Sequence, residues 1–274
     1  MLSFSVGRPI AIVKGGDLDG QIIYLNDKNQ KCCKKCDNTC IIKKKPCCGG
    51  CCLCFEGDNI ENSLEIEDGI LEPIPNMQTR EIPYIAGPSG SGKSTFAGTY
   101  IKNYKKLNPG KDIFIFSRVA EDKALDKLKP NRIKIDETLV TDPIDIMQDF
   151  PKGGLILFDD TDTIQDKKIA EAISKIKNDI LETGRHKGIY CVITSHLING
   201  NNRKDTRTIL NECHNIVFFP KAGSTYQIKY ILKNYFGLSN NQIDHILHLP
   251  SRWIMLNKSA PQYLIYEHGI EMIN

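Results

Sequence analysis

Gly87-Pro88-Ser89-Gly90-Ser91-Gly92-Lys93-Ser94 ends a glycine-rich octapeptide in a lysine and a hydroxyl. This is the spacing G-x-x-x-x-G-K-[ST] of a loop that cradles phosphates. Glycines let the backbone approach a polyphosphate closely. The loop amides, and the N-terminus of a helix that follows, present positive partial charge to it. In such a site Lys93 reaches the β- and γ-phosphates and Ser94 holds Mg²⁺. Gly87 to Thr95 are therefore the candidate nucleotide-binding residues, and ATP with Mg²⁺ is the expected cofactor pair.

A second cluster completes that chemistry. Leu155-Ile156-Leu157-Phe158 runs into Asp159-Asp160. A carboxylate at the end of an apolar strand beside a phosphate loop holds the Mg²⁺ shell, which assigns Asp159 to the metal. Asp160 then stands where an acid can orient or deprotonate an attacking water. A third apolar strand, Ile189 to Thr194, ends in Ser195-His196. Ligand groups gather at the carboxyl ends of parallel strands, so His196 is a candidate sensor of the γ-phosphate or the water. Charge that develops during phosphoryl transfer is often met by an arginine, frequently from a neighbouring subunit. Arg185 is the first candidate, ahead of Arg252, Arg203 and Arg207.

These residues need a scaffold. Residues 82–86, 112–116, 154–158, 188–194 and 215–219 read as short buried strands. Residues 94–106, 121–129, 166–183, 203–213, 225–236 and 240–248 read as helices, with Gly184 as the cap that ends the long one. Strands alternating with helices predict an α/β fold with a mostly parallel sheet. Trp253–Leu256 and Tyr263–Tyr266 add two strand-like segments near the end. Upstream, Ile10–Val13 and Gln21–Leu25 read as a hairpin turned by Gly15-Gly16 and Asp19-Gly20, while residues 57–78 read as acidic loop. The expected organisation is an N-terminal β-rich segment over residues 1–78, with a Cys/Lys-rich insertion at 31–56, and an ATPase domain over residues 79–274.

Composition sets limits. The chain has 274 residues, 41% hydrophobic and 25% charged, with a net charge of +3. That is an ordinary globular composition with too small a charge to imply nucleic-acid binding by itself. No signal-peptide pattern or membrane-length apolar run is present, so a soluble protein of a reducing compartment is expected. Nine of the eleven cysteines fall between residues 32 and 54. Cys33-x₂-Cys36 and Cys48-x₂-Cys51 supply two thiolate pairs of the kind that wrap a tetrahedral Zn²⁺. Cys51-x₂-Cys54 offers a second phase, so the ligand set stays open, as does a reduced, thiol-rich loop. Six lysines in the same block, Lys31, Lys34, Lys35, Lys43, Lys44 and Lys45, make a surface that DNA phosphates could meet.

Taken in order, the phosphate loop, Phe158-Asp159-Asp160, Gly184-Arg185-His186 before an apolar strand, and Thr194-Ser195-His196 at its end form a distinctive set. Pro220, the run Tyr230 to Leu238, Ser251-Arg252-Trp253 and Pro261 extend it. The set resembles the genome-packaging ATPases of nucleocytoplasmic large DNA viruses, the poxvirus-type branch of the FtsK–HerA superfamily, over about residues 80–274. The resemblance implies a RecA-like three-layer sandwich with a strand inserted between the phosphate-loop strand and the Asp159 strand. It implies a ring oligomer, a hexamer or a pentamer, that drives double-stranded DNA into a virion at the cost of ATP. Viral capsid or membrane proteins would be further partners, and the host cytoplasm or the virion the place of action. Many relatives carry a glutamine at the sensor position occupied here by Ser195-His196. Gly87–Thr95 also resembles the loop of guanylate kinases, so a nucleotide kinase is the alternative activity. A nucleotide-switched adaptor is the non-enzymatic one.

Overall fold

The structure, a computed structural model, describes residues 2–5, 7–26, 62–119, 121–196 and 203–273. The Cys/Lys-rich insertion with its candidate zinc ligands lies outside the described residues. In chain order the strands are β1 (Leu2–Ser3), β2 (Arg8–Lys14), β3 (Ile22–Leu25), β4 (Ser63–Glu65), β5 (Ile70–Pro73), β6 (Pro83–Ala86), β7 (Ile113–Ser117) and β8 (Asn131–Ile133). They continue with β9 (Leu155–Asp159), β10 (Tyr190–Ser195), β11 (Asn215–Phe218), β12 (Ile254–Asn257), β13 (Tyr263–Tyr266) and β14 (Gly269–Met272). The helices are α1 (Lys93–Leu107), the single turns α2 (Thr138–Thr141) and α3 (Ile146–Asp149), then α4 (Lys167–Thr183), α5 (Arg203–Glu212), α6 (Thr225–Phe236) and α7 (Asn240–His248).

Ten strands form one sheet in the order β4-β14-β13-β12-β11-β6-β10-β9-β7-β8. From β11 to β8 every neighbouring pair is parallel. The strands from β12 outward to β4 pair antiparallel. β10 lies between β6 and β9, the inserted strand that the resemblance implies. The remaining strands make a small antiparallel sheet, β1-β3-β2-β5.

The inner strands β6, β7, β9, β10 and β11 are largely apolar because both faces of the large sheet are covered there. Side chains alternate along each strand. Ile156 and Phe158 of β9 enter one core, with Ile173 and Ile180 of α4 and Ile228 and Ile231 of α6. Leu155 and Leu157 of the same strand enter the other, with Phe96, Tyr100 and Tyr104 of α1. That second core also takes Leu2, Ile10, Val13, Ile23 and Leu25, so the small sheet covers part of the α1 face.

Two expectations are corrected. Residues 121–129 form no α-helix; the regular piece is a 3₁₀ turn at Asp126–Leu128. Asp122 Oδ1 accepts from the amides of Ala124 and Leu125, and Asp126 Oδ2 from that of Asp122. Short acids thus compete for the donors a helix would use, and Pro130 disfavours helical geometry before it. The stretch 57–78, read as loop, contains β4 and β5, whose apolar alternation of three and four residues is too short to detect. Gly184 caps α4 as expected, its amide donating to the Ile180 carbonyl, though in a right-handed conformation (φ −56°); the chain then passes through a 3₁₀ turn at Gly184–Lys187 that ends at the left-handed Gly188 (φ 63°). Space at 184 is tight. A β-carbon there would lie 2.8 Å from Arg80 Nη1, which bonds the Ile180 carbonyl at 2.8 Å.

Candidate nucleotide site

The strand register brings the site together. Ser195 of β10 lies opposite Ala86 of β6, and Ser117 of β7 opposite Asp159 of β9. The carboxyl ends of four adjacent strands therefore share one edge of the sheet. From that edge the chain leaves β6 through Gly87, whose amide donates to the Ser195 carbonyl at 3.0 Å. Gly90 and Gly92 take positive φ (76° and 111°), a conformation that costs other residues energy. The start of α1 has no side-chain cap and no acid in its first turn. Its amides are left for an anion.

Lys93 is buried at 5% exposure and its ammonium faces two groups: the Pro88 carbonyl at 3.4 Å and Asp160 Oδ2 at 3.7 Å. Asp159 is buried at the end of β9. Thr194 Oγ1 donates to its Oδ1 at 2.9 Å, and Ser117 Oγ donates to its Oδ2 at 3.0 Å. The carboxylate is thus held by neutral hydroxyls on both sides.

Asp160 adopts a left-handed conformation (φ 45°), which short polar residues tolerate better than others. Its amide donates to Thr194 Oγ1 at 2.9 Å, and its Oδ2 lies 3.0 Å from His196 Nε2. Burial raises the Asp160 carboxyl above its ordinary value, opposed by Lys93 and His196 and reinforced by Asp159 and Asp162. A half-buried, proton-avid carboxylate beside a lysine is the arrangement for handling the proton of a reacting water.

Lys93, Asp159, Asp160, Thr194, Ser195 and His196 are brought together, with the half-buried Ser94 beside Lys93. Two members were missed by sequence reasoning. Ser117 is the polar residue closing the apolar run Ile113–Phe116. Asp162 accepts from Ser195 Oγ at 2.7 Å and from the His196 amide at 3.2 Å, holding the end of β10. Its signal was the third acid in Asp159-Asp160-Thr161-Asp162. Arg185 is not brought in. It precedes β10, at the edge of the sheet opposite the phosphate loop, so it could serve only the site of a neighbouring copy. Arg207 is exposed on α5. Arg252 does approach: a β-carbon on Gly92 would lie 3.8 Å from its Nη2.

Magnesium is the metal such a site implies. A hydroxyl, a buried carboxylate and phosphate oxygens are the hard oxygen donors that Mg²⁺ prefers, and it needs only one or two protein ligands. Among the described residues no group of three or more His, Cys, Asp or Glu forms a metal cage.

The parallel sheet, the glycine loop before a helix and the acid on the neighbouring-but-one strand define the P-loop NTPase fold. No protein-family model matches the chain. It is 43% identical over 277 residues to uncharacterized protein V3 of Sputnik virophage, covering 100% of both chains. The chain belongs to the family of that virophage protein. Among solved structures it is similar to the DNA-packaging ATPase B204 of Sulfolobus turreted icosahedral virus, with TM-score 0.46, 13% identity, and 72% of this chain and 98% of that one covered. It is also similar to the conjugation coupling protein TcpA of pCW3, with TM-score 0.48, 12% identity, and 95% and 77% covered. Among the described residues no helix is long and apolar enough to cross a membrane.

Proposed function

We propose that the protein is a Mg²⁺-dependent ATPase that translocates double-stranded viral DNA during genome packaging. The observation that carries this is the Lys93–Asp160 pair, 3.7 Å apart, beside the buried Asp159 on a sheet with β10 inserted between β6 and β9. The virophage relative supports a viral setting, at the assembly site in the host cytoplasm or in the virion.

In the proposed reaction the triphosphate lies along Gly87–Thr95 with its γ-phosphate toward Lys93. Ser94 and Asp159 would hold the magnesium ion, which when bound neutralises phosphate charge. Water attacks the γ-phosphorus in line. A bond forms from the water oxygen, the bond to the β-bridging oxygen breaks, and ADP leaves with the electron pair. Asp160 takes the water proton, and His196 holds its carboxylate in place. Lys93 meets the charge that develops on the γ-oxygens. An arginine from a neighbouring copy in a ring, with Arg185 as the exposed candidate, completes the site. The lysines of the Cys/Lys-rich block, with zinc at Cys33, Cys36, Cys48 and Cys51, offer a DNA-contacting knob.

The test is ATP hydrolysis measured with and without duplex DNA over a salt series, beside the oligomer mass. Stimulation by duplex that fades as salt rises, in a ring-sized assembly, is expected. Turnover indifferent to DNA would remove the motor. Phosphate transfer to GMP would replace it with a nucleotide kinase, and ATP binding without turnover with an adaptor.

A further inference from the structure

β6 divides the site into two sides. Toward β10 and β9 stand Asp159 and Asp160, where the terminal phosphate is expected. A nucleotide so oriented must lead away on the other side, toward β11 and β12. There a cavity of about 170 Å³ opens against the phosphate loop. Phe219 follows β11 and Trp253 precedes β12; both line it, with Thr95 and Thr99 of α1 and Glu72 of β5.

Three further observations point to a ligand. Ser91 lines the cavity at 9% exposure, and among the described residues its hydroxyl has no hydrogen-bond partner. The Arg252 guanidinium lies over Gly92, beside the path from cavity to phosphate loop. The segment that carries Arg252 and Trp253 is pinned: the Arg252 amide donates to Glu267 Oε2 at 2.7 Å, and Ser251 Oγ donates to the Trp253 carbonyl at 2.6 Å. The Trp253 ring meets Phe96 edge-on, with centroids 4.9 Å apart and planes at 68°.

We infer that this cavity receives the nucleoside of the bound nucleotide, with the base against the part-exposed Trp253, the buried Phe219 backing the phosphate loop, and Arg252 over the inner phosphates. An aromatic wall suits a planar base, and a guanidinium suits phosphate. The Glu72 carboxylate supplies an acceptor for ribose hydroxyls or an exocyclic amine. The inference rests on the phosphate-loop reading of the site and adds which side of the loop holds the nucleoside.

The chain has one tryptophan, Trp253, so its own fluorescence reports on the cavity. The full-length protein is titrated with ATP and, separately, with inorganic tripolyphosphate, both with magnesium, and binding is followed in parallel by calorimetry. ATP is expected to change the emission saturably, while tripolyphosphate binds and leaves it unchanged. Trp253→Ala should weaken ATP about tenfold, the scale of one lost stacking contact, leave tripolyphosphate binding intact, and be largely rescued by Trp253→Phe. Thr99→Phe, which fills the cavity from α1, should likewise weaken ATP alone. ATP binding with unchanged emission, or variants that weaken ATP and tripolyphosphate equally, would overturn the inference and leave the phosphate loop standing. Failure of both ligands to bind would overturn the loop reading together with it.

Discussion

Thr194 Oγ1 donates to Asp159 Oδ1 at 2.9 Å while accepting the Asp160 amide at 2.9 Å, so one hydroxyl on β10 fixes both acids at the end of β9. The inserted strand thus clamps Asp159 and Asp160, the two acids proposed to hold the metal and the attacking water. Thr194→Val keeps the shape and removes the clamp. A hydrogen bond to a charged group contributes about 1.5–3 kcal/mol. The expected result is a kcat lower by roughly ten- to a hundredfold at little-changed KM, read from ATP titrations, because the lost positioning matters most in the transition state. Unaltered kcat would remove Thr194 from the mechanism.

Among the described residues Lys93 has one acid partner, Asp160, and its side chain is held in place by burial. Lys93→Ala should lower hydrolysis by at least about a hundredfold, the scale of losing one preorganised transition-state contact. It should also weaken ATP. Asp160→Asn should lower turnover while ATP still binds. Single-turnover hydrolysis with a parallel binding measurement separates the two; an Asp160→Asn variant of normal rate would hand the proton to another group.

His214 gives the fold a sensitivity to acid. It is half-buried just before β11, and among the described residues its Nδ1 has no hydrogen-bond partner. Burial, with Arg80 and Lys258 nearby, pushes its pKa down to about 4. The folded state therefore holds the neutral ring where the unfolded chain, near 6.5, takes up a proton. The unfolded state binds more protons between these values, so stability is full above pH ~6.5 and falls as pH drops toward ~4, by at most about 3 kcal/mol. Thermal unfolding at pH 7 and 4.5 should show a smaller acid loss in His214→Gln than in the parent chain. Equal losses would place the sensitivity elsewhere.

The cysteine block makes a chemical prediction. Purified protein should carry zinc in stoichiometric amount by metal analysis, and Cys33→Ser with Cys36→Ser should lose it. Cys191 and Cys213 should be unaffected, since both are buried free thiols with pKa values pushed up to about 12. Metal-free protein whose block is folded would end the zinc reading.

Legibility followed the range of the interactions. Strands β6, β7, β9, β10 and β11 were placed to within two residues because a doubly covered strand must be apolar along its length. The hairpin β2–β3 was legible from its glycine turns. The strands β4 and β5 were not, because three or four residues carry too little pattern. The segment 121–129 misled because its lysines and leucines suit a helix, while Asp122 and Asp126 spend their carboxylates on its amides.

The amino-acid order alone determined the phosphate loop, the acid pair closing an apolar strand and the α/β class, because each depends on neighbours within a few positions. Only the tertiary structure decided that β10 lies between β6 and β9, that Ser117 and Asp162 brace the site, that Arg252 arrives beside Gly92, and that Arg185 stands at the far edge. Those facts come from strands pairing across tens of residues, where burial of both sheet faces chooses the partner and hydrogen-bond register sets which ends meet.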